Sequence, residues 1–112
     1  MRKNILIFDY GSGNYSSIEK TLKRFNTNVM VGNSKKFINN SDVIIFPGVG
    51  TFPQAMQQMR KNSILKKIKS IVFSGKNILG ICLGMQLFTE FSPEIKDTEG
   101  LKFIRGKTKK MP

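Results

Sequence analysis

A single cysteine, Cys82, stands in this chain of 112 residues, between two glycines in the stretch GICLGMQ, residues 80–86. Glycine–X–nucleophile–X–glycine, after an apolar run and before a helical pattern, is the spacing of an elbow whose sharp turn exposes the central side chain. The flanking Gly80 and Gly84 permit the turn and let helix and strand pack closely. At the start of the following helix, the dipole and free amides favour thiolate over thiol. The amide of Leu83 would point to the same place, where an oxyanion forms during acyl transfer. A nucleophilic cysteine usually passes its proton to a neighbouring base, yet the sequence contains no histidine. Lysine at its ordinary pKa is a poor base at neutral pH. The residues alone leave two readings of Cys82 open: an exposed nucleophile, or a buried free cysteine of the core.

The elements that must position it alternate in type. KNILIF, residues 3–8, is a short continuous apolar run, the pattern of a strand buried on both faces. Residues 16–25 put Ile18, Leu22 and Phe25 at helical spacing, with Ser16 or Ser17 available as N-cap. Residues 28–31 and 42–46 read as the second and third strands. Pro53 suits the first turn of a helix carrying Met56 and Met59. Residues 64–72 continue helical, with Leu65, Ile68 and Val72 as one stripe. Residues 77–81 read as a fourth strand, a helix follows from about Met85 to Phe91, and residues 101–104 suit a fifth strand. This alternation predicts an α/β fold, a doubly wound, mostly parallel sheet with helices on both faces. Ligands of such folds bind beyond the carboxyl ends of the strands. Three loops meet there: residues 10–14, 47–51 and 82–84.

The first loop, YGSGN, begins like a dinucleotide fingerprint, but the third glycine position is Ser16 and no acidic residue ends the second strand. A tight strand-to-helix turn accounts for both glycines. In the second, PGVG at residues 47–50, the glycines allow close backbone approach to a ligand and equally suit a strand-ending turn.

Composition narrows the classes further. The length is that of one small domain. Hydrophobic residues make up 39% of the chain, ordinary for a globular protein, and no apolar run approaches a membrane span. One cysteine excludes an internal disulfide framework and fits a reducing, cytoplasmic setting. Without histidine, a zinc site built on His and Cys is not expected. The net charge is +12, but 15 of the 19 basic residues are lysines spread over every segment. Nucleic-acid modules gather arginines and aromatics on one face, so a solvated surface is the favoured reading and no nucleic-acid partner is expected.

Four segments, residues 9–22 (DYGSGNYSSIEKTL), 46–56 (FPGVGTFPQAM), 79–90 (LGICLGMQLFTE) and 99–106 (EGLKFIRG), resemble the class I glutamine amidotransferases. Within them the chain looks like the glutaminase subunit of imidazole glycerol phosphate synthase, of histidine biosynthesis. The resemblance spans nearly the whole chain. It implies hydrolysis of glutamine to glutamate and ammonia, with Cys82 as the attacking nucleophile. It also implies oxyanion donors at the amides of Val49 and Leu83, glutamine held by Gly50 and Gln86, and no cofactor. Ammonia would pass to a barrel-shaped cyclase subunit in a heterodimer, with Asn14 at the partner interface.

The family's catalytic histidine and glutamate, in a His-Pro-Glu pattern, lie further toward the C-terminus than Pro112. Residues 1–112 are therefore expected to form a single, incomplete amidotransferase domain, inactive alone. Two alternatives keep part of this reading. One is a glutaminase serving another synthase, such as one amidating surface sugars. The other is an inactive remnant that still docks on a synthase as a binding module.

Overall fold

The computed structural model describes residues 2–11, 15–61, 63–93, 95–109 and 111. Its elements are β1 (Lys3–Phe8), α1 (Ser16–Leu22), β2 (Thr27–Gly32), α2 (Lys35–Asn40), β3 (Val43–Phe46), α3 (Phe52–Lys61), α4 (Ile64–Phe73), β4 (Asn77–Gly80), α5 (Leu83–Leu87), β5 (Phe91–Ser92) and β6 (Thr98–Glu99). The first four strands form one parallel sheet in the order β2-β1-β3-β4, and β5 pairs antiparallel with β6. The apolar runs produce this because parallel strands joined by helical crossovers are covered on their faces and need side chains for both.

Register assigns those side chains. Leu6 pairs with Met30 and Ile44, and Ile44 with Ile78. With Phe8 and Phe46 they make one face, covered by α3, α4 and α5, whose Met56, Met59, Ile68, Ile71 and Leu87 are buried against it. Phe46 is the hub, its ring 5.0 Å from Phe8 and 5.6 Å from Phe88. On the opposite face, Ile45 and Leu79 share an apolar groove with Ile18 and Leu22 of α1. The sheet is thus doubly wound. The chain leaves β1 toward β2, then returns across β1 to β3, so the winding reverses between β1 and β3. That reversal opens a crevice at their carboxyl ends.

Several elements differ from the sequence reading, each for a local reason. α1 stops at Leu22 because Thr27 Oγ1 donates to the Leu22 carbonyl at 2.7 Å and the amides of Arg24 and Phe25 make tighter i→i−3 bonds. Phe25 therefore leaves the helical stripe and is 65% exposed. The cap position belongs to Tyr15 and not to Ser16 or Ser17. In α4 the buried stripe is Ile64, Ile68 and Ile71, one residue out of phase with the one expected through Leu65 and Val72. α2 was not anticipated, although Ser34 caps it by accepting from the Phe37 amide. α5 starts earlier than expected, at Leu83, and ends at Leu87, so Phe91 falls in β5. Residues 101–104 form no strand. Their amides instead cap α5: Leu101 N–H donates to the Leu87 carbonyl, and those of Phe103 and Ile104 to Phe88.

Candidate functional site

Cys82 links β4 to α5 with φ 53° and ψ −122°, a backbone region that side-chain-bearing residues rarely enter. The strain falls on the cysteine and not on its flanking glycines, neither of which has a positive φ. Those glycines serve close approach. A Cβ on Gly84 would strike the Phe46 carbonyl oxygen, and one on Gly80 would lie 2.6 Å from the Phe88 ring and 2.7 Å from Met85 Cα. Only hydrogen at both positions lets α5 begin directly against the end of β3. The Ile81 amide then donates to the Phe46 carbonyl at 2.9 Å, extending the β3–β4 pairing up to the cysteine.

The turn leaves Cys82 exposed, so the buried-cysteine reading does not hold. Gly84 N–H donates to the Ile81 carbonyl and Gln86 N–H to that of Cys82. Among the described residues no such bond engages the amide of Leu83, at the open end of the helix. Gln86 lies one helical turn beyond Cys82, on the same side of α5. Its carbonyl accepts from Thr89 Oγ1 at 2.7 Å.

The second loop lies against this elbow. A Cβ on Gly48 would be 2.8 Å from Leu83 Cβ and 3.1 Å from the Gly84 nitrogen. Pro47 and Gly48 are buried, whereas Val49 (60% exposed) and Gly50 open to solvent. Gly50 has φ 103°, which glycine adopts without strain. Val49, Gly50, Cys82, Leu83 and Gln86 thus belong to one corner of the molecule. Asn14 lies outside the described residues.

The first loop reaches the corner through a residue that sequence reasoning passed over. Tyr10, fully buried, donates from its hydroxyl to the Pro47 carbonyl. Burial, with a smaller contribution from Tyr15, holds that hydroxyl protonated far above the ordinary tyrosine range. The available signal was an aromatic residue between a strand end and a glycine. Beside it, Asp9 Oδ1 accepts from Gly11 N–H at 3.0 Å and Tyr15 Oη at 2.9 Å. Burial and the Asp9 carboxylate push the Tyr15 hydroxyl up to about 12.

A separate cleft of about 610 Å³ lies between α3 and the β5–β6 hairpin, lined by Gln57, Arg60, Asp97 and Glu99 among others, and Cys82 takes no part in it. Among the described residues, no three His, Cys, Asp or Glu side chains gather to hold a metal, and no helix is long and apolar enough to cross a membrane.

An exposed thiol on a strained strand-to-helix turn, backed by a glycine-rich strand end, is an arrangement suited to attack on a carbonyl. The profile of the glutamine amidotransferase class-I family matches residues 6–111, and the chain belongs to that family. Among its relatives are imidazole glycerol phosphate synthase subunits HisH. That of Bacillus cereus (strain B4264) is 44% identical over 107 residues, covering 96% of this chain and 51% of the relative. That of Prochlorococcus marinus (strain MIT 9211) is 41% identical over 112 residues, covering 100% and 52%. The chain spans about half the length of the curated relatives it matches. A crystal structure of a glutamine amidotransferase shares its fold with a TM-score of 0.63 at 17% identity, covering 86% of this chain and 51% of that one. A Listeria monocytogenes EGD-e chain assigned to the peptidase E type does so with a TM-score of 0.69 at 14% identity, covering 91% and 63%.

Proposed function

We propose that this chain carries the nucleophile-bearing part of a glutaminase that supplies ammonia for imidazole glycerol phosphate synthesis. The observation that carries the reading is Cys82 exposed at a positive φ between β4 and α5. The family match and the HisH relatives support glutamine as the substrate and imidazole glycerol phosphate synthesis as the pathway.

In this reading the Cys82 thiolate attacks the side-chain amide carbon of glutamine, and the amides of Leu83 and Val49 receive the oxyanion. Collapse of the tetrahedral intermediate breaks the C–N bond. Nitrogen leaves as ammonia once protonated, and a glutamyl thioester remains on Sγ. Water then attacks the thioester, releasing glutamate and restoring the thiol. Gly50 and Gln86 hold the glutamine, and no cofactor takes part. Ammonia passes to a barrel-shaped cyclase partner that docks near Asn14, in the cytoplasm. The base comes from outside these residues, since the chain has no histidine.

The test is glutamate release by the chain mixed with its synthase partner, read together with the intact mass of the native protein and its reading frame. A native product that includes a histidine and turns over glutamine only while Cys82 is present bears the reading out. Turnover that survives Cys82→Ala sinks it. The second reading is a binding module that docks on the synthase without hydrolysing glutamine. A native protein of 112 residues that binds the synthase and releases no glutamate would select that one.

A further inference from the structure

The segment EGLKFIRG, residues 99–106, is one of the four that carry the family resemblance, and the reading above gives it no part in the reaction. In the structure it crosses the far end of α5. The amides of residues 100–104 all donate to carbonyls of residues 87–90, at 2.8–3.1 Å. Gly100 runs so close to the helix end that a Cβ on it would strike the Thr89 carbonyl oxygen. Buried Leu101 anchors this half of the segment. The other half is held by polar bonds. Glu90 N–H donates to the Gly106 carbonyl at 3.0 Å, and Gly106 N–H donates back to Glu90 Oε1 at 3.1 Å. Thr108 N–H donates to the Phe91 carbonyl, and its hydroxyl lies 3.1 Å from that of Thr89. Thr89 gives its single hydroxyl proton to the Gln86 carbonyl at 2.7 Å, so toward Thr108 it accepts.

α5 has five residues, too few to persist as a helix unaided. Burial of Leu83 and Leu87 keeps it on the core, but only the crossing segment takes up the carbonyls at its end. Its first turn is tied to the nucleophile, because Gln86 N–H donates to the Cys82 carbonyl at 3.1 Å. A loosened helix end is therefore one turn away from Cys82. Resting on the glutaminase reading above, we propose that residues 100–108 are a strap that positions the nucleophile: by taking up the carbonyls at the far end of α5, they hold the turn that fixes Cys82 and the Leu83 amide. Gly100 is its positioning residue where it is anchored, and Thr108 where it is latched.

The experiment compares the intact chain with Gly100→Ala, whose added methyl wedges the strap off the Thr89 carbonyl. Hydrogen exchange of the Gln86 amide reads the turn that holds Cys82, and exchange of the β1 amides reads the sheet. Two reactions of Cys82 at pH 9, where a free thiol is substantially ionised and no added base is needed, read its chemistry. With p-nitrophenyl acetate, the thiolate attacks the ester carbonyl through an oxyanion. The C–S bond forms, the C–O bond breaks, and p-nitrophenolate leaves. With iodoacetamide, the thiolate displaces iodide directly and no oxyanion arises. The ratio of the two rates is therefore independent of the thiolate fraction. The Cys82→Ala chain supplies the background from lysines.

Gly100→Ala is expected to speed Gln86 exchange about tenfold with the β1 amides unchanged, a local opening of α5. It should also lower the rate ratio about tenfold, a smaller loss than outright removal of an oxyanion donor. Faster Gln86 exchange with an unchanged ratio makes the strap a structural element only and overturns the proposal, as does unchanged exchange. Should Gly100→Ala fail to fold, or loosen β1 as well, Thr108→Val and Thr108→Ser decide. A ratio lowered by valine and restored by serine supports the strap, and equal ratios in the two overturn it. If acylation persists undiminished in Cys82→Ala, the glutaminase reading fails as well. Loss of acylation in that variant with no effect of the strap variants removes the role of the strap alone.

Discussion

Cys82 occupies a backbone conformation that suits glycine, and its side chain is exposed. Strain of this kind costs roughly 1–3 kcal/mol, while an exposed thiol contributes little packing. Cys82→Gly should therefore raise stability by about 1 kcal/mol in urea unfolding while removing all reactivity toward thiol reagents; a lower midpoint would show that the turn is not strained. Tyr15 makes a second prediction at this scale. Its hydroxyl is raised to about 12 in the folded chain against about 10 when unfolded. The folded state thus holds a proton that the unfolded state has lost between those values. Its contribution is complete below pH 10 and declines as pH rises toward 12. Unfolding midpoints measured from pH 9 to 12 should fall less steeply for Tyr15→Phe than for the parent chain.

The elements were legible in the sequence to unequal degrees. Continuous apolar runs announced β1 to β4, and most plainly β1 and β3, because a strand buried on both faces has no polar phase to confuse. Helix phase was harder: residues 64–72 contain two overlapping apolar stripes, and only packing into the common core selects Ile64, Ile68 and Ile71. Residues 101–104 looked like a strand because apolar residues suit both strands and caps, and their amides went to the end of α5. At the site, glycine spacing located the elbow, but which residue bears the positive φ is a property of the folded turn. The Tyr10 bond to Pro47 joins residues 37 apart in sequence, and no local pattern encodes it. The glycines also differ in kind. Gly84→Ala meets a backbone carbonyl that cannot move aside and should cost about 3 kcal/mol. Gly75→Ala meets only open space at φ 77° and should cost about 1 kcal/mol. Equal losses in denaturant unfolding would contradict the close packing of α5 on β3.

Across the whole molecule, the two faces of the sheet are covered unevenly. One carries α3, α4 and α5, while on the other α1 buries no residue completely. Leu79 on β4 is 51% exposed beside the groove it shares with α1, and among the described residues β4 pairs only with β3. An open edge next to apolar surface favours association, opposed here by the +12 charge. Leu79→Ser should weaken binding of a hydrophobic dye and raise the protein concentration at which salt causes light scattering, at a stability cost of about 1 kcal/mol. Unchanged dye binding would mean that this face is not the exposed apolar surface of the chain.

The bond from the Ile81 amide to the Phe46 carbonyl also orders events in time. The backbone around Cys82 can reach its elbow only after β4 has found β3, a pairing of Val43 with Asn77 across 34 residues of chain. Helical turns form in about a microsecond or less, whereas distant strands meet more slowly. The strained turn at Cys82 therefore rests on a contact between distant segments, and the stretch of residues 80–86 taken by itself has nothing to hold it.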